Sequence, residues 1–148
     1  MKKDAVMVRV TLWANRLVAA CLFVLLFTLP AILEWYSQYR ALLSLERTAL
    51  TVAFYCCAAV VAVALWNIDG LLRAIGVQQV FTRENVRRIR VIRWCCAGTA
   101  LICLPATFCY YPLVFMTLVM AFLSLVVTVV VRVMDAAVTI REENDLTI

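Results

Sequence analysis

The chain has 148 residues, which is enough for one domain. Hydrophobic residues make up 66% of it and charged residues 16%, whereas a soluble domain is about half apolar and about one quarter charged. This composition lies far outside the range of water-soluble domains, and it predicts a membrane protein with a net charge of +5.

Three long uncharged runs predict where the chain crosses the membrane. Residues 17–33 and 48–68 contain 17 and 21 uncharged residues, and each is enough for one helical span of about 20 residues. Residues 94–131 form a run of 38, too long for one span. We expect it to divide at Pro112, because proline disfavours helix at the residue before it. The predicted spans are residues 12–36, 48–74, 90–111 and 113–134.

Lysine and arginine are distributed unevenly over the connections between the spans. If the four spans alternate in direction, 12 of the 14 Lys and Arg residues lie on the side that holds both termini and the segment joining spans two and three. Short segments rich in these residues stay in the cytoplasm. We therefore predict an all-α integral membrane protein, a single antiparallel bundle of four transmembrane helices over residues 1–148. Both termini, the loop 75–89 and the tail 135–148 are expected in the cytoplasm.

The segment that joins spans two and three also carries helix signals. Gly76 is suited to end the second helix, and Thr82 is suited to cap the start of the third. Glu84 suits the positive end of the helix dipole, and it has the right spacing to pair with Arg88. We therefore expect a helix to restart just before the third span.

The two cytoplasmic segments differ in the sign of their charge. Residues 83–93 carry a net charge of +4, and residues 133–148 carry −3. Since both are expected on the same face of the membrane, three outcomes are open. The two segments dock on each other, one of them recruits a soluble partner, or they are two solvated surfaces that differ in sign.

Two motifs in these segments carry a resemblance to a known family. One is the G-x-x-x-x-F-T-x-E-N element, and the other is the tail of residues 143–148, E-N-D-L-T-I. They are similar to DUF2975, a bacterial family of four-span membrane proteins of unknown function, and the resemblance covers nearly the whole chain. Val80 stands where members often have proline before the phenylalanine. Many members are encoded beside a small Cro-type helix-turn-helix regulator, so the resemblance implies a membrane partner of a transcription factor in the bacterial inner membrane.

The leading hypothesis is therefore a non-enzymatic regulatory or interaction protein of the inner membrane. Its cytoplasmic loop and tail would contact a soluble partner, for which a transcriptional regulator is one candidate. The lipid bilayer is the second expected partner, and a homo-oligomer is an open alternative. The residues expected to bind the partner are Thr82, Glu84, Asn85, Arg87, Arg88, Glu143, Asn144 and Asp145.

Arginines at every third position of the loop invite comparison with a voltage sensor. Arg87, Arg90 and Arg93 all precede Trp94, however, and so they lie at the expected inner edge of the membrane rather than within a span. We expect them to bind anionic lipid headgroups, at about 1 kcal/mol per charge near the surface. Direct nucleic-acid binding is not expected of so short a loop beside an anionic membrane.

The alternative hypothesis is a small transporter or channel component, alone or in an oligomer. Asn67 and Asp69 would line its path, because polar residues within a span often mark an ion or proton route. Two observations oppose it: no charged residue falls near the expected midplane of any span, and Asp69 has Arg73 and Arg16 as candidate ion-pair partners.

Seven cysteines raise the question of a metal or redox site. Cys56–Cys57 and Cys95–Cys96 are adjacent pairs, so their side chains point about 100° apart on a helix, and the chain has no histidine. We expect small apolar contacts at the cysteines, with acylation of Cys95 and Cys96 as a minor alternative. No metal site, no cofactor and no catalytic residue is expected, and the protein is not expected to be an enzyme.

Overall fold

A computed structural model describes residues 2–39, 44–77 and 81–146. They form four helices, α1 (Lys2–Tyr39), α2 (Ser44–Gly76), α3 (Arg83–Cys109) and α4 (Leu113–Leu146), and these described residues include no strand. Each helix contains a stretch long and apolar enough to cross a bilayer. The predicted all-α fold with four spans is confirmed.

The long uncharged run divides where proline was expected to divide it. Helix α3 ends at Cys109 and α4 begins at Leu113. The Tyr110 N–H still donates to the Ala106 carbonyl at 2.9 Å, and the chain then reverses within three residues. Because the turn is so short, α3 and α4 are forced to pack as an antiparallel hairpin.

Contacts at both ends of the bundle show that the four helices alternate in direction. Arg16 near the start of α1 approaches Asp69 near the end of α2, and Arg83 at the start of α3 bonds to Glu142 at the end of α4. This end holds 12 of the 14 Lys and Arg residues, and we call it the arginine end. The hydroxyls of Tyr36 and Tyr110 lie 3.3 Å apart at the opposite end, which we call the tyrosine end.

The helices pack in chain order and leave one side of the bundle open. Within the described residues, α1 packs on α2, α2 on α3 and α3 on α4, and no Cα of α1 comes within 8 Å of a Cα of α4. A cavity of about 340 Å³ with an almost wholly apolar lining, contributed by all four helices, lies on this open side. We call it the apolar cavity.

A hydrogen bond between α1 and α2 compensates for a proline inside α1. Pro30 has no N–H, so it leaves the carbonyl of Leu26, four residues earlier, without its usual donor. The hydroxyl of Tyr55 on α2 donates to that carbonyl at 3.1 Å. In lipid no water replaces the missing donor, and the tyrosine therefore stabilises α1 at the proline and fixes α2 against it.

The best-buried apolar cluster lies at the arginine end. Val86 and Val138 are each only 2% exposed, and they pack with Ile89 and Val131. By contrast, Phe108 in the third span is 88% exposed. Water drives apolar side chains together only outside the bilayer, since lipid chains are as apolar as the side chains they surround. We therefore expect the hydrophobic effect to form an apolar core at the arginine end, and the structure has its buried apolar cluster there.

Candidate interaction face at the arginine end

The start of α3 is held by its own side chains. Thr82 has the extended backbone of an N-cap, and its hydroxyl accepts from the Asn85 N–H at 3.4 Å, as predicted. Glu84 forms the predicted ion pair with Arg88. Asn85 is 2% exposed. The F-T-x-E-N element therefore builds the first turn of a helix, and its Thr and Asn serve the fold whatever else they contact.

Arg83 connects the start of α3 to the end of α4. Its guanidinium donates to both carboxylate oxygens of Glu142, at 3.1 and 2.7 Å, and to Asp135 at 3.0 Å. A further bond of 3.4 Å goes to Thr139. Of the three outcomes left open by the sequence, the structure shows docking of the basic loop helix on the acidic tail. We call this group of four residues the Arg83 clasp.

Arg83 was not among the predicted partner-binding residues. Asp135, Thr139 and Glu142 follow one another at the spacing of one helix face, which is visible in the sequence. Nothing in the sequence shows which of the neighbouring arginines faces them, because that depends on the rotation of α3 against α4.

Reversing the charge of Arg83 is expected to loosen the end of α4. The variant Arg83→Glu places a third carboxylate beside Asp135 and Glu142, so attraction becomes repulsion, and amide exchange over residues 139–146 should be several-fold faster. The effect should shrink at high salt, because these groups are exposed. Hydrogen exchange with mass spectrometry measures it.

Two variants control this experiment. Arg90→Glu makes the same charge change at an exposed position two helical turns further along α3 and should leave the exchange of residues 139–146 unchanged. The double variant Arg83→Glu, Glu142→Arg should recover most of the protection. Equal loosening by Arg83→Glu and Arg90→Glu would show that the clasp does not hold the tail.

The other predicted contact residues lie around the clasp. Arg87 and Arg90 are exposed on α3, and Glu143 and Asn144 are exposed at the end of α4. The Arg93 guanidinium lies 5.0 Å from the centre of the Trp94 ring. The side chain of Asp145 lies outside the described part of the structure, as does Val80. The clasp brings both predicted segments to one face, and their binding to lipid or to a partner stays a prediction.

Asp69 is an enclosed carboxylate at the arginine end. It pairs with Arg73 at 2.6 Å and with Arg16 at 3.7 Å, and its side chain is 22% exposed. Two cavities of about 330 and 470 Å³ border it, and Asn67 lines neither. The amide of Asn67 donates instead to the Val63 carbonyl of its own helix at 2.8 Å. The structure therefore does not bring the two predicted path residues to one cavity.

Gly70 allows a close approach between α2 and α3. A Cβ added to Gly70 would overlap the Arg88 guanidinium, whereas a Cβ added to Gly98 on α3 would meet nothing within 4 Å. Glycine at this position therefore lets the arginine lie against the backbone of α2. The shape of the 470 Å³ cavity depends on this contact, because Gly70 and Arg88 both line it.

Alanine at the two glycines is expected to give different results. Gly98→Ala should stabilise the protein by about 0.5–1 kcal/mol, because alanine restricts the unfolded chain more than glycine does. Gly70→Ala should gain less or nothing, since Arg88 must move away. In an Arg88→Ala background the gain at Gly70 should return, and this non-additivity is read from thermal unfolding in detergent. If the effects of the two substitutions are additive, the contact between Gly70 and Arg88 makes no contribution to the free energy of unfolding.

The described residues contain no group of three or more Cys, Asp or Glu side chains placed to hold a metal ion. Neither adjacent cysteine pair is joined by a third such ligand. Cys95 and Cys96 are both half-buried on α3, near the arginine end.

Comparison with known proteins agrees with this architecture. The family model described as "Protein of unknown function (DUF2975)" matches residues 5–148. The chain belongs to this family. The DUF2975 match includes the α3 cap, the Arg83 clasp and all four spans, so the face described above is part of the family's domain. Neither a curated protein nor a solved structure shows significant similarity to the chain.

Proposed function

We propose that this protein is a non-enzymatic regulatory or interaction protein of the bacterial inner membrane. Its arginine end faces the cytoplasm, and the exposed residues around the Arg83 clasp bind a soluble protein partner. A transcriptional regulator is the partner class we favour. The observation that carries the proposal is the packed, charged helix pair that α3 and α4 form beyond their apolar stretches.

The distribution of charge supports the orientation. Among the described residues, one Lys or Arg, Arg47, lies at the tyrosine end, against 12 at the arginine end. Short loops rich in Lys and Arg are retained in the cytoplasm, so the end with more arginine is expected there. Trp66 and Trp94 are exposed near the arginine end, in positions suited to the membrane interface.

The packing of the helix pair supports a binding role. Helix α4 continues to Leu146, about 12 residues beyond the predicted end of its span, or about 18 Å at the helical rise. Val138 is buried against α3 in this extension, and the Arg83 clasp holds it from outside. A face already ordered in the free protein loses little conformational entropy on binding.

Photo-crosslinking from this face tests the proposal. A photoreactive residue replaces Arg87 or Asn144, both exposed, and the matched control replaces Phe108, which is exposed in the third span. We expect the same soluble protein to be captured from the first two positions in living cells and not from the third. Lipid alone at all three positions would remove the basis for a protein partner.

Topology mapping tests the orientation separately. A cysteine at Val77 in a background without native cysteines should react with an impermeant maleimide only after the cells are opened. A cysteine at Tyr111, which is 82% exposed at the tyrosine end, should react in intact cells. The opposite pattern would place the arginine end outside the cell and overturn the proposal.

One observation favours the transport alternative. Asp69 borders two cavities, one lined by α1 and α2 and one by α2 and α3, and carries an oxygen that is buried and accepts no hydrogen bond within the described residues. Two variants distinguish the interaction proposal from the transport alternative. Under the interaction proposal, deletion of residues 141–148 abolishes the cellular phenotype and Asp69→Asn leaves it intact. Under the transport alternative the results are reversed.

A further inference from the structure

Four sulfur-containing side chains from three helices line the apolar cavity. The Sγ atoms of Cys57 on α2 and Cys103 on α3 lie 3.7 Å apart. Met116 and Met120 of α4 line the same cavity, and their spacing of four residues places them on one face of the helix. No charged side chain is among the lining residues. We call these four residues the sulfur cluster.

We propose that the sulfur cluster binds a copper(I) ion. Thiolates and thioethers are the soft ligands that select copper(I) over the harder divalent ions. A thiolate at either cysteine would hold the metal at about 2.3 Å, and the other thiol, whose sulfur lies 3.7 Å away, is within hydrogen-bond distance of that thiolate. The methionine side chains have three rotatable bonds, so their thioethers adjust readily to complete the coordination.

The charge balance of this site suits an apolar environment. An unpaired cation among apolar side chains is very unfavourable, and so is an unpaired thiolate. Binding displaces one thiol proton to a carrier in the aqueous phase, and the resulting thiolate and copper(I) together are neutral. The second cysteine keeps its proton and donates an S–H hydrogen bond to the thiolate, and the two thioethers donate to copper(I) as neutral ligands. No electron is transferred, because copper enters in the monovalent state.

The same features distinguish Cys57 from the cysteine beside it. Cys56 is exposed and does not line the cavity, whereas Cys57 and Cys103 face it from two helices. The expectation of no metal site rested on the geometry of the adjacent cysteine pairs and on the absence of histidine. Cys57 and Cys103 are 46 residues apart and meet only through the packing of α2 on α3. The inference does not depend on the proposed partner binding.

Copper titration of the full chain in lipid nanodiscs tests the site. One variant keeps Cys57 and Cys103 and replaces the other five cysteines with serine; the reciprocal variant carries only Cys57→Ser and Cys103→Ser. Both are titrated with copper(I) under anaerobic, reducing conditions against a chromophoric chelator. We expect the first to bind one ion per chain. The reciprocal variant should lose affinity by at least the roughly 100-fold that loss of an outer-shell partner costs at other metal sites.

Two further measurements separate the cluster from chance thiol binding. Met116→Leu and Met120→Leu should each weaken binding in the first variant, whereas Met134→Leu, outside the cavity, should not. X-ray absorption should show only sulfur ligands. Equal affinity of wild type and the reciprocal variant overturns the proposal, and so does a helical, monodisperse first variant that binds no copper(I). The reciprocal comparison with wild type decides the matter if the first variant does not fold.

Discussion

Replacing Val138 with asparagine is expected to lower the stability of the α3–α4 end by about 3–5 kcal/mol. Val138 is 2% exposed and packs with Val86 and Ile89 in the cluster at the arginine end. The change removes about 1.5–3 kcal/mol of apolar burial and adds a buried amide, which costs about 1–3 kcal/mol more without a hydrogen-bond partner. Native-state hydrogen exchange over residues 131–146 measures the loss.

Ile140→Asn is the matched control for this variant. Ile140 lies two residues away on the same helix and is 59% exposed, so the amide remains in contact with solvent or headgroups. Its effect should be within about 0.5 kcal/mol of wild type, as is usual for surface positions. If both variants change exchange equally, the cluster is not a core. In that case the ordered interaction face proposed for the arginine end loses its physical basis.

Replacing Ala100 with phenylalanine is expected to destabilise the bundle within the membrane by about 2–3 kcal/mol. Ala100 lies in the third span, is 9% exposed and does not line the apolar cavity, so a large ring has no space to enter. Small residues at such positions let neighbouring helices approach closely, and that approach replaces the hydrophobic driving force that is absent in lipid. Unfolding in mixed micelles by a denaturing detergent measures the change.

Ala121→Phe provides the comparison for this second variant. Ala121 is exposed on α4 in the fourth span, so its ring should face lipid. We expect little change in stability, since phenylalanine is favourable in the hydrocarbon region. Equal destabilisation by the two variants would mean that Ala121 is covered as well, by a second copy of the chain or by another membrane protein. That result would revise the view that this face of α4 meets lipid.

The predictions for Val138 and Ala100 test two different stabilising forces, the hydrophobic effect in water and close packing in lipid. Near the arginine end α3 and α4 are expected to meet water, and burial of Val86 and Val138 stabilises their pairing. Nearer the tyrosine end α3 runs through its apolar stretch, and there Ala100 and Ala106 are buried, so close packing of small residues stabilises the bundle instead. A variant that opens the first region need not separate the second. The interaction face is therefore open to mutation without loss of membrane insertion.

The length of each apolar run and the placement of charge were enough to predict the fold. Residues 94–131 had to be divided because a single helix of that length does not fit a bilayer, and Pro112 marked the place. The sequence predicted Thr82 as an N-cap and an ion pair between Glu84 and Arg88, and the structure has both. These features are local: each depends on residues a few positions apart, whose geometry in a helix is known in advance.

The candidate sites were only partly predictable. The opposite charges of residues 83–93 and 133–148 suggested docking, but the clasp uses Arg83, which was not in the predicted set. Asp69 was recognised, although its two cavities were not, since they depend on how α1 and α3 lie against α2. The contact between Cys57 and Cys103 was not predicted, because the two residues are 46 positions apart in the sequence and meet only through the packing of α2 on α3.

The amino-acid sequence is sufficient to predict a four-span helical membrane protein and the residues that gather at each end. It is sufficient because transfer of charge and of bare backbone into lipid is so unfavourable that composition along the chain decides the crossings. Three features come from helix packing and were not predictable: α1 stays apart from α4, Arg83 bonds to the end of α4, and Cys57 contacts Cys103. Those outcomes depend on the rotation of each helix about its axis. In lipid that rotation is set by small differences in close packing, for which a uniformly apolar helix carries almost no sequence signal.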